Sequence, residues 1–342
     1  MEYNLKDDML LRKIVLILPI ILFLSCRGDN PRTDYSFLAL NTTCTVSIFG
    51  NTEINKKEIE EIVNNIESLM SRHIVDSDVS KINSLSGKDF FTPDKSTLEV
   101  IKRGLFFSNF SEGKLDITIG PLVKLWNIGE AIEVPDLEYI TKAISLVNYN
   151  LVNINDTGSV KLEKAGMLLD LGSIAKGYAA DKVKEFLISK GVKSAIINLG
   201  GNINLIGSKP DGEYWKVGIQ HPERERGEYI GILELKDQSF VTSGNYERYF
   251  EVNGIRYHHI LSSKTGFPIN GDIVSSSIVS NNSLDGDGMS TTTFGLDIPT
   301  AVKYVRKIGV QGVFITKDTI YIPQEFSNSF HLKDSAYGLI TY

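Results

Sequence analysis

Asp287 and Thr291 stand four residues apart in the run Asp287-Gly288-Met289-Ser290-Thr291. On a helix that spacing puts both side chains on one face, about 5–6 Å apart at Cβ. A hard cation takes oxygen ligands and keeps several waters, so a carboxylate and a hydroxyl there suit Mg²⁺ bridging phosphates. The same residues also read as a plain helix start, with Asp287 as N-cap and Thr291 solvated. An EF-hand reading of Asp285-Gly286-Asp287-Gly288 fails, because Met289 stands where the third ligand belongs. The second candidate is Asp170-Leu171-Gly172-Ser173-Ile174-Ala175-Lys176-Gly177-Tyr178, which follows the apolar run Met167-Leu168-Leu169. It reads as a buried strand, a tight turn and a helix continuing through Ala179, Val183 and Leu187. Free N–H groups and the positive end of the dipole make such a helix start a phosphate site. Lys176 opposes that dipole, which points to an anionic ligand; an ordinary strand–turn–helix with a solvated lysine stays open beside it. His258-His259 ends a strand, where neighbours face opposite sides, so one of them faces any site; we expect His259.

The elements that must carry these groups follow from periodicity and turn signals. Leu40-Asn41-Thr42 opens a first strand, and Cys44 lies in the alternating run Thr43–Ile48 as a small core residue. Residues 55–73 form an amphipathic helix striped by Ile59, Ile62, Val63, Ile66, Leu69 and Met70. Further helices are expected at about 96–111, 136–147 and 299–308. The strand at 195–198 runs into Gly200-Gly201, a hairpin, a bulge or a place where backbone meets ligand. The spacing G-x-G-x-x-G is absent, so no dinucleotide fingerprint is present. Residues 215–220, 229–235 and 240–246 read as an antiparallel meander, and 312–322 as a closing hairpin.

The 342 residues are 42% hydrophobic and 23% charged, enough for one large domain or two small ones. A net charge of −6 gives no basic field for nucleic acid. At the start, Arg12-Lys13 precede the apolar run Ile14–Leu24, too short to span a bilayer, and then Ser25-Cys26. This resembles a bacterial lipoprotein signal with Cys26 lipidated; Phe23 and Leu24 depart from its usual pattern, and an ordinary secretory signal is the alternative. The acidic Glu2, Asp7 and Asp8 suit a start at Met9. The expected layout is a signal over 1–25, a membrane tether over 26–35 and one domain over 36–342, on the extracytoplasmic side of a bacterial membrane. Cys44 then has no partner for a disulfide.

Ordered blocks over about 38–330 resemble the ApbE family, the FAD:protein FMN transferases. Asp170–Tyr178 resembles D-L-G-G-I-A-K-G-Y, and Ser71-Arg72-His73…Ser77–Asn83 resembles S-T-Y…S-x-[IV]-x-x-[IL]-N, with His73 in the place of a flavin-stacking tyrosine. Gly113–Trp126 resembles G-A-F-D-x-T-x-G-P-L-x-x-L-W, and Asn198–Asn202 resembles N-x-G-G-N. Trp215–Gln220 and Thr242–Tyr246 resemble W-x-V-G-I-x-x-P and T-S-G-x-Y-E-R. His258–Pro268 resembles H-H-I-[IL]-D-P-[KR]-T-G-[YF]-P with Ser262-Ser263 replacing Asp-Pro, and Asp287–Thr291 resembles D-x-x-[ST]-T. The resemblance implies an α+β fold, a largely antiparallel central sheet flanked by helices. It implies that Asp287, Thr291 and the carbonyl of Ser173 hold Mg²⁺. Leu40, His73, Lys114, Leu115, Asp116, Asp170, Lys176, Leu261 and Ser290 would line the FAD site. The implied reaction moves the FMN half of FAD onto a threonine of an acceptor flavoprotein, such as a subunit of a membrane redox complex, and releases AMP, with His259 as base. The alternatives are Mg²⁺-dependent hydrolysis of FAD to FMN and AMP, and an FAD-binding lipoprotein without turnover.

Overall fold

The computed structural model describes residues 31–342, so the expected signal, Met9 and Cys26 lie outside the described residues. β1 (Arg32–Ala39) and β2 (Thr42–Phe49) form an antiparallel hairpin. Leu40 and Asn41 have φ of 53° and 54°, the left-handed pair whose twist suits a two-residue hairpin turn. Leu40 thus closes a hairpin rather than opening the first strand. The reason is that residues 32–39 already form a strand, burying Phe37 and Ala39 and exposing Leu38 between them. Residues 32–35, expected in the tether, are paired with β2.

Helix α1 (Lys56–Met70) buries Ile59, Val63, Ile66 and Met70 and stops at Ser71, whose backbone turns extended. There follow α2 (Asp78–Ser84), α3 (Lys95–Phe110), α4 (Gly120–Trp126) and α5 (Leu137–Ile144). The short pair β3 (Val152–Ile154) and β4 (Val160–Leu162) precedes α6 (Ala175–Ser189). Of the apolar run expected as a strand before α6, only Leu168 makes a bridge, to Ile119. The strands that follow are β5 (Ala195–Leu199), β6 (Asn202–Ile206), β7 (Trp215–Gln220), β8 (Tyr229–Leu235), β9 (Ser239–Gly244), β10 (Tyr249–Val252), β11 (Ile255–His258) and β12 (Ser275–Ser280). Then come α7 (Ser283–Thr293), α8 (Ile298–Ile308), β13 (Gln311–Ile315), β14 (Thr319–Ile322), β15 (Phe330–Leu332) and β16 (Gly338–Thr341).

Nine strands make one sheet in the order β1-β2-β5-β6-β9-β12-β13-β14-β16. Only the last pair, β14 with β16, is parallel. One face carries the helices over a core that includes Val63, Phe107, Ile174, Val183 and Met289. The other is covered by the small sheet β15-β8-β7, through Trp215, Val217, Leu233, Phe240 and Val313. The expected meander is therefore broken. β7 and β8 pair with each other, but β9 leaves them and lies between β6 and β12. Its residues Phe240 and Val241 are buried on opposite faces, which suits a strand between two covering layers rather than the edge of an outer one. A third cluster, Leu122, Trp126, Ile140 and Leu261, is closed by Phe250, Tyr257 and Phe267 around the indole.

Candidate active site

Two helices cross at a glycine. A Cβ on Gly177 of α6 would lie 2.3 Å from the carbonyl oxygen of Ser283, so only glycine lets α7 come this close. One turn on, Asp181 of α6 accepts from the N–H groups of Ser283 (2.7 Å) and Leu284 (2.9 Å) and from Asn204 Nδ2 (2.8 Å). A side chain of one helix thus satisfies free donors at the start of the next. Burial pushes Asp181 up to about 6 despite these bonds. The sequence of α7, Ser-Leu-Asp-Gly-Asp-Gly-Met-Ser-Thr-Thr-Thr, has poor helix propensity and is held by packing. A Cβ on Gly288 would strike the Phe107 ring. The N-cap is Asn282, which accepts from Asp285 N–H, so Asp287 is the fifth helical residue and the N-cap reading of it fails. Asp287 and Thr291 are one turn apart inside the helix.

Asp287 is 4% exposed. Its Oδ2 accepts from the Gly177 N–H at 2.9 Å and lies 3.8 Å from Lys176 Nζ. Burial pushes its carboxyl above the usual range, against the pull of the Lys176 charge and the Gly177 N–H. Gly177 is the third residue of α6, in the first turn, whose N–H groups have no partner within the helix; its N–H donates to Asp287, and Ser173 stands just before the N-cap Ile174. Asn202, at the start of β6, faces the same carboxylate, but its Nδ2 is outside hydrogen-bonding geometry and has no partner. On α7, Ser290 is fully buried and Thr291 half-buried; Ser243 of β9 reaches both, at 2.8 and 3.4 Å between hydroxyl oxygens. The Asp287 carboxylate, the Thr291 hydroxyl and the Ser173 carbonyl are all oxygen donors, the ligand type that a hard cation takes. Among the described residues no three of His, Cys, Asp and Glu gather to hold a metal, so such a cation would complete its shell with water and phosphate.

The remaining expected residues surround this crossing on three loops. Asp170 accepts from the Gly172 N–H through Oδ1 (2.8 Å) and pairs with Arg72 Nε through Oδ2 (2.8 Å). That pair ties the end of α1 to the turn before α6. It brings in His73, which is exposed in the following turn with its N–H on Ser71 Oγ. Leu40 reaches the same end of α1, its N–H on Glu67 Oε2 (3.0 Å). On the second loop, Asp170 N–H bonds to the carbonyl of Ile117 (2.8 Å), so Lys114-Leu115-Asp116 runs alongside. Leu115 is buried in the main core, and Lys114 is half-buried. Both oxygens of Asp116 are engaged by the turn that they stabilise, with Thr118 N–H and Oγ1 on one and Tyr149 N–H on the other. Burial raises its carboxyl. On the third loop, Leu261 packs beneath the Trp126 cluster. Ser262 Oγ accepts from the N–H groups of Lys264 and Thr265, so it caps the turn that an aspartate would cap in its place. Ser263 Oγ donates to the carbonyl of Gly113 at 2.6 Å and ties this loop to the second.

The two histidines part as strand geometry requires. His258 is buried, its Nε2 donating to the carbonyl of Ile269 (2.9 Å) and its Nδ1 accepting from the Ile260 N–H, and burial lowers it to about 4. His259 donates through Nδ1 to the carbonyl of Arg248 (3.2 Å), so Nε2 carries the free lone pair. Burial, the Arg248 charge and, more weakly, that of Lys176 lower His259 to about 3, although one edge stays open to solvent. The residues that sequence reasoning left out are Arg72, Gly177, Asn202 and Ser243. All four stand inside quoted blocks, and only contacts between distant segments reveal what they do.

Comparison with known proteins identifies the family. The ApbE family model matches residues 40–314. The FAD:protein FMN transferase of Klebsiella pneumoniae is 34% identical over 92% of this chain and 98% of its own. That of Treponema pallidum is 34% identical over 86% and 88%. The flavin transferase ApbE from Vibrio cholerae superposes with a TM-score of 0.76 at 26% identity, covering 90% of this chain and 98% of that one. The ApbE protein of Thermotoga maritima reaches 0.76 at 30% identity, over 84% and 95%. With its fold, its ordered blocks and most of its length shared with these proteins, the chain belongs to the ApbE family.

Proposed function

We propose that the protein is a flavin transferase that takes FAD and an acceptor flavoprotein as substrates and moves FMN onto a threonine hydroxyl of the acceptor, releasing AMP. The observation that carries this reading is the crossing of α6 and α7, where the buried Asp287 carboxylate accepts from the Gly177 N–H beside Lys176 and Thr291 lies one helical turn on. The relatives' name, FAD:protein FMN transferase, supports it. The acceptor oxygen attacks the phosphorus of the FMN half, the bond to the AMP oxygen breaks, and the hydroxyl proton goes to a base. His259 suits that part because its Nε2 is unprotonated through the neutral pH range and its other nitrogen is held by a carbonyl. Lys176 brings positive charge to the pyrophosphate at the start of α6. Asp287, Thr291 and the Ser173 carbonyl would hold Mg²⁺, whose chemistry there is to withdraw charge from the pyrophosphate and stabilise departing AMP. The protein is also proposed to work outside the cytoplasm on a lipid anchor at Cys26.

Hydrolysis of FAD at the same site is the second reading, favoured by the exposure of His73 where the resemblance puts a ring-covering tyrosine. One experiment separates the two. The protein is incubated with FAD, Mg²⁺ and a candidate acceptor, the acceptor is weighed by mass spectrometry and AMP is assayed. We expect an FMN-sized mass gain matched by AMP. AMP release with no gain on any acceptor would leave hydrolysis as the activity.

A further inference from the structure

The block Thr242-Ser243-Gly244 of β9 takes no part in the chemistry above, yet its middle hydroxyl touches the helix that does. Alternation along β9 turns Val241 and Ser243 to the same face, and a Cβ on Gly286 of α7 would lie 3.0 Å from Val241. Ser243 therefore faces α7, while Thr242 faces the other way and bonds Ser277 Oγ at 2.7 Å. Three hydroxyls then meet: Ser243 Oγ is 2.8 Å from Ser290 Oγ and 3.4 Å from Thr291 Oγ1.

Their hydrogens can be assigned by counting. A hydroxyl has one hydrogen and two lone pairs. Ser290 spends its hydrogen on the carbonyl of Asp287 at 3.0 Å, because a carbonyl only accepts. Toward Ser243 it can then only accept, so the Ser243 hydrogen points to Ser290. What Ser243 has left for Thr291 is a lone pair, and Thr291 must donate. We infer that Ser243 is a positioning residue that turns the Thr291 hydrogen inward and leaves the threonine lone pairs facing the open side, where a cation ligand needs them. The burial agrees, since Ser290 is closed off and Thr291 half-open. The relay runs from the backbone carbonyl of Asp287 through Ser290 and Ser243 to the Thr291 hydroxyl, so it joins the α7 backbone at one proposed cation ligand to the side chain of the other. This inference rests on the metal reading of Asp287 and Thr291.

Ser243→Ala removes the acceptor and frees the Thr291 hydroxyl to rotate. Groups that orient a metal ligand typically contribute 10–100-fold in affinity, so the half-saturating Mg²⁺ concentration should rise about 10-fold while turnover at saturating Mg²⁺ is largely kept. Mn²⁺ binding with FAD present, read by electron paramagnetic resonance, should weaken in parallel. Ser243→Thr keeps the hydroxyl and should restore both values. If Ser243→Ala does not fold, Ser243→Cys, a weak donor and acceptor, is compared with Ser243→Thr and should show the same weakening. Unchanged metal affinity in the Ala or Cys variant, or a loss of turnover with metal affinity intact, overturns the inference. Failure of the wild-type protein to bind Mn²⁺ at all overturns the metal reading itself, and the inference falls with it.

Discussion

Burial makes the bare carboxylate of Asp287 costly, and Lys176, 3.8 Å away, offsets only part of that cost, which is the setting of the proposed cation site. A proton and a metal ion therefore compete for the same oxygens. Asp287→Ala should lower Mg²⁺-dependent AMP release by at least about 100-fold, the upper end of what groups outside the metal shell cost, while FAD affinity falls less. Wild-type AMP release from the variant at saturating Mg²⁺ would remove Asp287 from the cation site. His73 is the residue that the resemblance puts against the flavin ring. Its exposed imidazole offers a flavin ring less area than a tyrosine, a difference on the order of 0.5–1.5 kcal/mol. His73→Tyr should tighten FAD binding by up to about tenfold and reduce AMP release when no acceptor is present. Calorimetric titration with FAD and an AMP assay on both forms decide it, and no change in either would place His73 away from the ring.

At the scale of elements, the decisive contact is the pairing of α6 with α7 through Gly177 and Asp181. Asp181 has its folded pKa raised to about 6 from a reference of 3.8. Between those values the folded chain holds a proton that the unfolded chain has lost, so this group adds stability as pH falls from 7 toward 4. From pH 7 to pH 5 the gain is ~1 kcal/mol. Asp181→Asn cannot titrate and offers one acceptor oxygen where the carboxylate offers two. It should lose that pH dependence and cost about 1 kcal/mol as one α7 donor goes unmet. Urea unfolding of both forms at the two pH values measures it. If the variant gains as much stability on acidification as the wild type, the dependence belongs to another group.

At the scale of the whole molecule, a nine-stranded sheet with helices on one face and a small sheet on the other holds the site at one end of β1, β2, β5, β6 and β9. There the Leu40-Asn41 and Gly200-Gly201 turns lie side by side, and a Cβ on Gly200 would be 2.5 Å from Thr42. Among the described residues no helix is long and apolar enough to cross a membrane. If Cys26 is lipidated, Cys26→Ser should accumulate as unprocessed precursor, visible as slower migration on a gel and loss of label from a fatty-acid analogue. Normal processing and release of that variant would make the segment an ordinary secretory signal.

Much of this site was legible in the residues alone. Asp287 and Thr291 share a face through the helical period, and Lys176 sits in the first turn of α6; both follow from local geometry. Strand alternation says that only one of the two histidines can face a site, and the order of the blocks was enough to name the family. Where local rules ran short, the cause was a contact between distant segments. The N-cap of α7 is Asn282 rather than Asp287, because Asp181, about a hundred residues earlier, meets the free donors of Ser283 and Leu284. β9 leaves the expected meander because both of its faces find a buried partner in the large sheet. Arg72 had no role of its own in the sequence reading, and the fold lays it against Asp170. Ser243 shows the same limit: a strand places its hydroxyl on one face, but only the packing of α7 on that face decides what the hydroxyl orients. Periodicity and side-chain chemistry are properties of a stretch of chain, and the sequence by itself determines them. Which free donor meets which carboxylate depends on surfaces that touch only after the chain has closed, and that was left to the tertiary structure.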